Sequence, residues 1–145
     1  MDVLRRNTDY GFRIMANLAK HFDAGQLLSA RQLAGDGDFS YQLGCKLLQK
    51  LHKAKLVKSE MGPKGGFSLN KNPANITLMD IIKALQGTVR LNSCLLDGKG
   101  CRFKNNCGIS SRLEYLQQYI NDYLDKITLA ELLLNKNGKG AVENG

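Results

Sequence analysis

Two helix-start signals 11 residues apart, followed by a glycine-rich turn, restrict this chain more than any other feature. Ser29-Ala30-Arg31-Gln32 has the form of a capping box, in which a hydroxyl and a glutamine satisfy the first free amides of a helix. Gly35-Asp36-Gly37-Asp38 reads as the turn that ends that helix. Ser40 then caps a second helix carrying Leu43, Leu47, Leu48, Leu51 and Ala54 at helical spacing. Strand-like runs at residues 56–61 and 67–70 come next, joined by Gly62-Pro63-Lys64-Gly65-Gly66. Glycine permits the positive φ of a tight reversal, and proline pre-sets one turn angle. A helix-turn-helix closed by a hairpin is a winged helix. A phosphate-binding NTPase loop would need Gly-Lys-Ser/Thr running into a helix, and that is absent.

The flanking segments are helical. Tyr10, Ile14, Leu18 and Phe22 form one apolar stripe over residues 8–22. Thr77-Leu78-Met79-Asp80 caps a helix carrying Ile81, Ile82 and Leu85, which Gly87 stops. A long helix is expected at residues 110–127. Ile109, Leu113, Leu116, Ile120, Tyr123 and Ile127 give it a heptad-like seam, and Tyr115, Tyr119 and Leu124 a second apolar face. Two apolar faces exceed what one small domain can cover, so the helix points to a homodimer through Leu113, Leu116, Ile120 and Tyr123, a helix packed back onto its own core being the plainer alternative. Thr128-Leu129-Ala130-Glu131 opens a short closing helix.

The expected class is therefore mainly α with a small β-hairpin wing: a winged helix-turn-helix plus a long C-terminal dimerisation helix. Residues 1–87 form the DNA-binding domain, 88–108 a cysteine loop, 109–134 the dimerisation and closing helices, and 135–145 a disordered Gly/Asn/Lys-rich tail.

Charge admits a polyanionic partner. The net charge is +8, of which residues 1–71 hold +6. Between Lys46 and Lys58 there are five lysines and no acid. A focus of this kind attracts a polyanion through its field and through counterion release, although a solvated helix face is the plainer reading of charge alone. On the predicted second helix, Ser40, Tyr41, Gln42, Cys45, Lys46, Gln49 and Lys50 are candidates to enter the major groove of double-stranded DNA. Lys64 on the wing would reach the neighbouring groove or its phosphates. The apolar runs are too short to span a membrane, and Met1-Asp2-Val3-Leu4-Arg5-Arg6 is not a signal peptide. A cytoplasmic protein is expected, in a reducing pool where four cysteines do not default to disulfides.

Cys94, Cys101 and Cys107 lie within 14 residues. Three thiolates in a basic loop suit an iron–sulfur cluster, whose negative charge lysines and backbone amides stabilise. Structural zinc more often shows closer cysteine pairs and a fourth Cys or His. A thiol redox switch and three unrelated cysteines are the remaining options. His21 and His52 lie elsewhere and read as ordinary helix residues. Cys45 reads as a small half-buried side chain, with a thiol activated by nearby lysines as the alternative.

These residues occur in an order that resembles the Rrf2-type family of bacterial regulators. The carriers are Asp9-Tyr10, the helix-turn-helix, the wing from Leu56 to Phe67, Ile76-Thr77-Leu78-Met79-Asp80-Ile81, the three loop cysteines and Ile127-Thr128-Leu129-Ala130-Glu131-Leu132. The resemblance covers residues 1–134. It implies a homodimeric winged-helix regulator whose DNA binding is tuned by a 2Fe–2S or 4Fe–4S cluster on the cysteine loop. Asp9 matches the position from which some nitric-oxide-sensing members supply a carboxylate ligand across the dimer. This chain departs from the branch that regulates iron–sulfur biogenesis at four places. Its first cysteine interval has six residues rather than five, and Ser110 replaces a histidine after the last cysteine. Cys45 replaces a base-reading glutamate, and Met61 an arginine entering the wing.

The expected function is thus a transcription regulator, more repressor than activator, responding to nitric oxide, redox state or iron–sulfur supply. A regulator with zinc or a thiol switch, and a small iron–sulfur electron carrier, are the rivals. No His–carboxylate or nucleophile–base arrangement suggests an enzyme.

Overall fold

The computed structural model describes residues 3–91 and 107–134. Six α-helices and one hairpin follow in the described residues: α1 (Arg6–Lys20), α2 (Ala30–Gly37), α3 (Tyr41–Lys53), β1 (Val57–Glu60), β2 (Gly66–Leu69), α4 (Leu78–Leu85), α5 (Gly108–Lys126) and α6 (Leu129–Leu134). The winged helix is present, with α3 leading into the hairpin.

Local sequence explains most boundaries. Ser29 accepts from the Gln32 amide while the Gln32 side chain accepts from the Ser29 amide, so the capping box is closed. Ser40 Oγ accepts from the Leu43 amide and starts α3. Thr77 and Asp80 form a second reciprocal pair at α4. Thr128 Oγ1 accepts from the Glu131 amide at α6. Each such cap contributes on the order of 1 kcal/mol.

The expected turn at residues 35–38 is a correction. α2 runs on through Gly35, Asp36 and Gly37, and only Asp38 turns left-handed, at φ 57°. Tertiary contacts override the weak helix propensity of glycine here. Arg13 donates to the Gly37 carbonyl at 2.7 Å, and Asn17 donates to the Asp36 carboxylate at 2.9 Å, so α1 holds the last turn of α2. A Cβ on Gly37 would lie 2.1 Å from the Phe39 ring, so the glycine makes room for a packed aromatic.

The hairpin pairs Val57 with Leu69 and Glu60 with Gly66, antiparallel. It does not stand free. Phe67 and Leu28 exchange both backbone hydrogen bonds, at 2.8 and 3.0 Å, and so join β2 of the wing to the segment before α2. Val57 and Leu69 face a core with Ile14, Met15, Leu18, Leu33, Leu47, Leu48, Leu51, Ile76, Ile81 and Leu129. α1 lies close to α4 because position 11 is glycine: a Cβ there would come within 2.0 Å of Leu85.

The C-terminal helices return to the core at a point that sequence patterning does not reveal. Leu78 donates to the Ile127 carbonyl and Leu129 to the Ile76 carbonyl, at 3.0 and 2.8 Å, which ties the α5–α6 junction to the start of α4. Against its own protomer α5 buries polar residues, Ser110 and Gln117. Gln117 Nε2 donates to the Val89 carbonyl at 2.9 Å, and its Oε1 accepts from the Leu91 amide at 2.9 Å. It therefore clamps the stretch that leads into the cysteine loop.

Replacing Gln117 by leucine should leave those two backbone groups unpaired and destabilise the fold by about 1–3 kcal/mol. Gln118→Ala, on the exposed side of the same helix, should stay within roughly 0.5 kcal/mol. Urea unfolding of both variants measures the contrast. Equal stabilities would mean that Gln117 holds nothing in place.

Candidate nucleic-acid interface and cysteine ligands

α3 buries Gly44, Leu47, Leu48 and Leu51 and turns the rest of its surface outward. Ser40, Tyr41, Gln42, Lys46 and Gln49 are exposed on that outer side, and Cys45 is half-buried among them. The apolar stripe faces the core because its residues recur every three to four positions, which leaves the polar ones together by default. The fold thus brings six of the seven α3 candidates onto one accessible face.

Lys50 is the exception. Its ammonium donates to the Leu85 carbonyl at 3.2 Å, at the C-terminal end of α4, where a helix dipole favours a cation. The spacing of lysines alone does not separate a phosphate-facing amine from one that caps a neighbouring helix. Lys64 is exposed in the turn between the strands, on the same hairpin that follows α3.

Tyr41 has a fixed environment. The Arg31 guanidinium lies over its ring at 4.6 Å, a cation–π contact that joins the first turn of α2 to the first turn of α3. Hydrogen bonding to Cys45, then the charge of that thiol, pushes the Tyr41 hydroxyl above the usual phenol range, while Arg31 pulls the other way. Tyr41 and Cys45 also line a cleft of about 370 Å³ between α3 and the hairpin, with Gln49, His52, Ser59 and Phe67. Arg31 is a basic residue of this surface that sequence patterning assigns only to a cap. The signal that could have found it is the charge itself, one residue after the α2 start. Met61, which stands where the resembling branch has an arginine, is 97% exposed in the turn of the wing.

The metal-ligand candidates divide. Cys94 and Cys101 lie outside the described residues, as does the 135–145 tail. Cys107 is a free, half-buried cysteine at the N-cap of α5. Asp9 is exposed in the first turn of α1. Among the described residues no group of three or more His, Cys, Asp or Glu side chains is assembled. The two ends of the cysteine segment are nevertheless both held by α5, one through the Gln117 clamp on Leu91 and the other at Cys107.

The dimerisation candidates also divide. Leu116 and Tyr123 are 47% and 55% exposed, whereas Leu113 and Ile120 are half-buried against their own protomer. Polar Gln117 and Ser110 occupy the inward face, so the open stripe is rotated from the predicted seam. It runs through Ile109, Leu116, Tyr123 and Tyr119 to Tyr115, which are 47% to 80% exposed. No helix among the described residues is long and apolar enough to cross a membrane.

A family model described as "Rrf2: Iron-dependent Transcriptional regulator" matches residues 4–135. The regulator IscR of Yersinia pseudotuberculosis is 36% identical over 93 residues, which are 63% of this chain and 56% of that protein. Among solved structures, IscR of T. potens superposes with a TM-score of 0.74 at 28% identity, covering 97% of this chain and 92% of that one. CymR, the global cysteine regulator of B. subtilis, gives 0.76 at 27% identity, covering 94% of this chain and all of that one.

Proposed function

Because the chain belongs to the Rrf2 family of transcription regulators, we propose that it is a homodimeric operator-binding repressor governed by an iron–sulfur cluster on its cysteine segment. The observation that carries the DNA half of this reading is the exposed polar face of α3 beside the wing. In this reading α3 enters the major groove. Gln42 and Gln49 meet base edges there, and Ser40, Tyr41, Cys45 and Lys46 meet bases or phosphates. Arg31, held against Tyr41, joins them on the backbone, and Lys64 reaches across from the wing. Lys50 is left out, because its ammonium is engaged on α4.

Cys94, Cys101 and Cys107 would hold the cluster, with Asp9 of the partner subunit as fourth ligand. The donor chemistry fits as far as it is described: Cys107 is free, half-buried and at a helix N-terminus, where a net negative group is favoured. A bound cluster supplies a centre that reacts with oxidants and nitric oxide. The chain's own part is mechanical. Both ends of the cysteine segment are fixed to α5, and the open apolar stripe of α5 suits a second copy. A change at the segment would therefore alter the angle between two reading heads, whose half-sites must lie about one DNA turn apart.

The likeness to CymR favours a second reading, the same DNA-binding dimer with zinc or a thiol switch on the three cysteines. Iron, sulfide and zinc analysis of anaerobically purified protein separates the two. Operator binding with and without nitric oxide then tests the coupling. A parent protein that holds iron and sulfide but binds DNA identically under both conditions would leave the cluster without a regulatory role.

Lys46→Ala and Lys64→Ala should each weaken operator binding and lower its salt slope by about one unit for every phosphate that is no longer neutralised. Titrations over a series of salt concentrations measure this. An unchanged slope in both variants removes these lysines from the interface.

A further inference from the structure

The wing ends in a tip built to hold one apolar side chain in solvent. After the last strand pair, Glu60 with Gly66, the chain reverses through Met61, Gly62, Pro63, Lys64 and Gly65. Gly62 adopts φ +110°, and the Gly65 amide donates to the Gly62 carbonyl at 2.9 Å. Any Cβ on Gly65 would lie 2.1 Å from the Glu60 carbonyl oxygen, so the reversal is tight. The Leu28–Phe67 bridge anchors the strands beneath it. Met61 is 97% exposed on this anchored turn, with Lys64 exposed three residues on.

We propose that Met61 is an apolar wedge that enters the DNA minor groove and selects a deformable base step. This rests on the DNA-binding reading above and names what the wing recognises. With α3 in the major groove, the wing lies against the adjacent minor groove, and Lys64 holds it there by phosphate attraction. Met61 has no hydrogen-bond donor for a base edge. It is unbranched and polarizable, and therefore suited to slipping between partly unstacked bases. Discrimination then comes from the energy of opening the step, which is lowest for pyrimidine–purine steps. An arginine at the same place would instead favour a narrow, strongly negative groove such as that of an A-tract.

The test is selection of duplexes from a random-sequence pool by full-length parent protein, Met61→Ala and Met61→Arg. The bend of the selected duplexes is measured by end-to-end energy transfer. Because the side chain is in solvent, all three proteins should share one melting temperature. Parent pools should carry a pyrimidine–purine step at a fixed distance outside each major-groove half-site, on a bent duplex. Met61→Ala should keep the half-sites, lose the step and the bend, and bind the parent duplex about tenfold more weakly. Met61→Arg should shift the flanking preference to A-tracts. Identical flanks and bends in all three pools would overturn the wedge and leave the DNA-binding reading standing. A parent protein that enriches no half-site would overturn both.

Discussion

If the protein pairs along α5 as proposed, Leu116→Asp should leave a folded monomer and lower operator affinity by about a hundredfold or more. The side chain is 47% exposed in the single protomer, so the change removes little from its own core. In a dimer formed along the open stripe of α5, the same substitution buries one carboxylate from each protomer. Burying an unpaired carboxylate costs several kcal/mol after relaxation, enough to overcome a stripe of modest area. Once the protomers part, the second reading head no longer binds as a tethered partner, and linkage of that kind is worth about 10²–10⁴ in affinity. Sedimentation velocity and titration of a two-half-site duplex measure the two effects together. A Leu116→Asp protein that remains dimeric would move the interface off this stripe. Leu113→Asp is a poorer probe, because Leu113 is half-buried against its own protomer and would unsettle the fold as well.

The residues of α5 also mark where sequence reading stops. Heptad spacing identifies a helix with an excess of apolar surface. It does not tell which part of that surface is already spoken for. The deciding residue is Gln117, whose amide meets the backbone of Val89 and Leu91 and turns a polar position inward. That rotates the open stripe from Leu113 and Ile120 toward Tyr119 and Tyr115. Lys50 is a parallel case, since charge spacing does not anticipate a carbonyl at the end of α4, 35 residues away. Local signals carry further. Ser29, Ser40, Thr77 and Thr128 each start the helix that their sequence context announces, because a cap is satisfied within three residues. The wing is legible for the same reason: its glycines answer to backbone geometry at the turn itself. α2 runs past its expected end because the contacts that extend it come from Arg13 and Asn17 on another helix.

Cys107→Ala should abolish signal dependence while leaving a folded DNA-binding protein. The thiol is half-buried, and the start of α5 is held by backbone bonding, the Ser110 amide donating to the Cys107 carbonyl at 3.2 Å, so the loss of one sulfur is tolerated. If the cysteine segment holds an iron–sulfur cluster, the variant purifies anaerobically without the visible absorption, iron and sulfide of the parent, and nitric oxide no longer changes its operator affinity. If it holds zinc, a colourless parent loses zinc instead. With a thiol switch neither protein contains metal, and only the parent responds to oxidant. Cys45→Ala should retain the parent's colour in the first case, because Cys45 sits on α3 in the cleft with Tyr41, on another element from Cys107. Asp9 completes the series. A carboxylate oxygen is a harder and weaker ligand for cluster iron than a thiolate, so of the four proposed ligands it is the one that a small diatomic molecule would displace. Asp9→Ala should then keep the colour only briefly and respond weakly to nitric oxide, with folding unchanged because the residue is exposed. Its plainer role, a first-turn acid favoured by the helix dipole, predicts a loss of about 0.3–1 kcal/mol in stability and nothing else. Cluster lifetime therefore separates the two roles: a lifetime equal to the parent's makes Asp9 a helix-start residue and places the fourth ligand elsewhere.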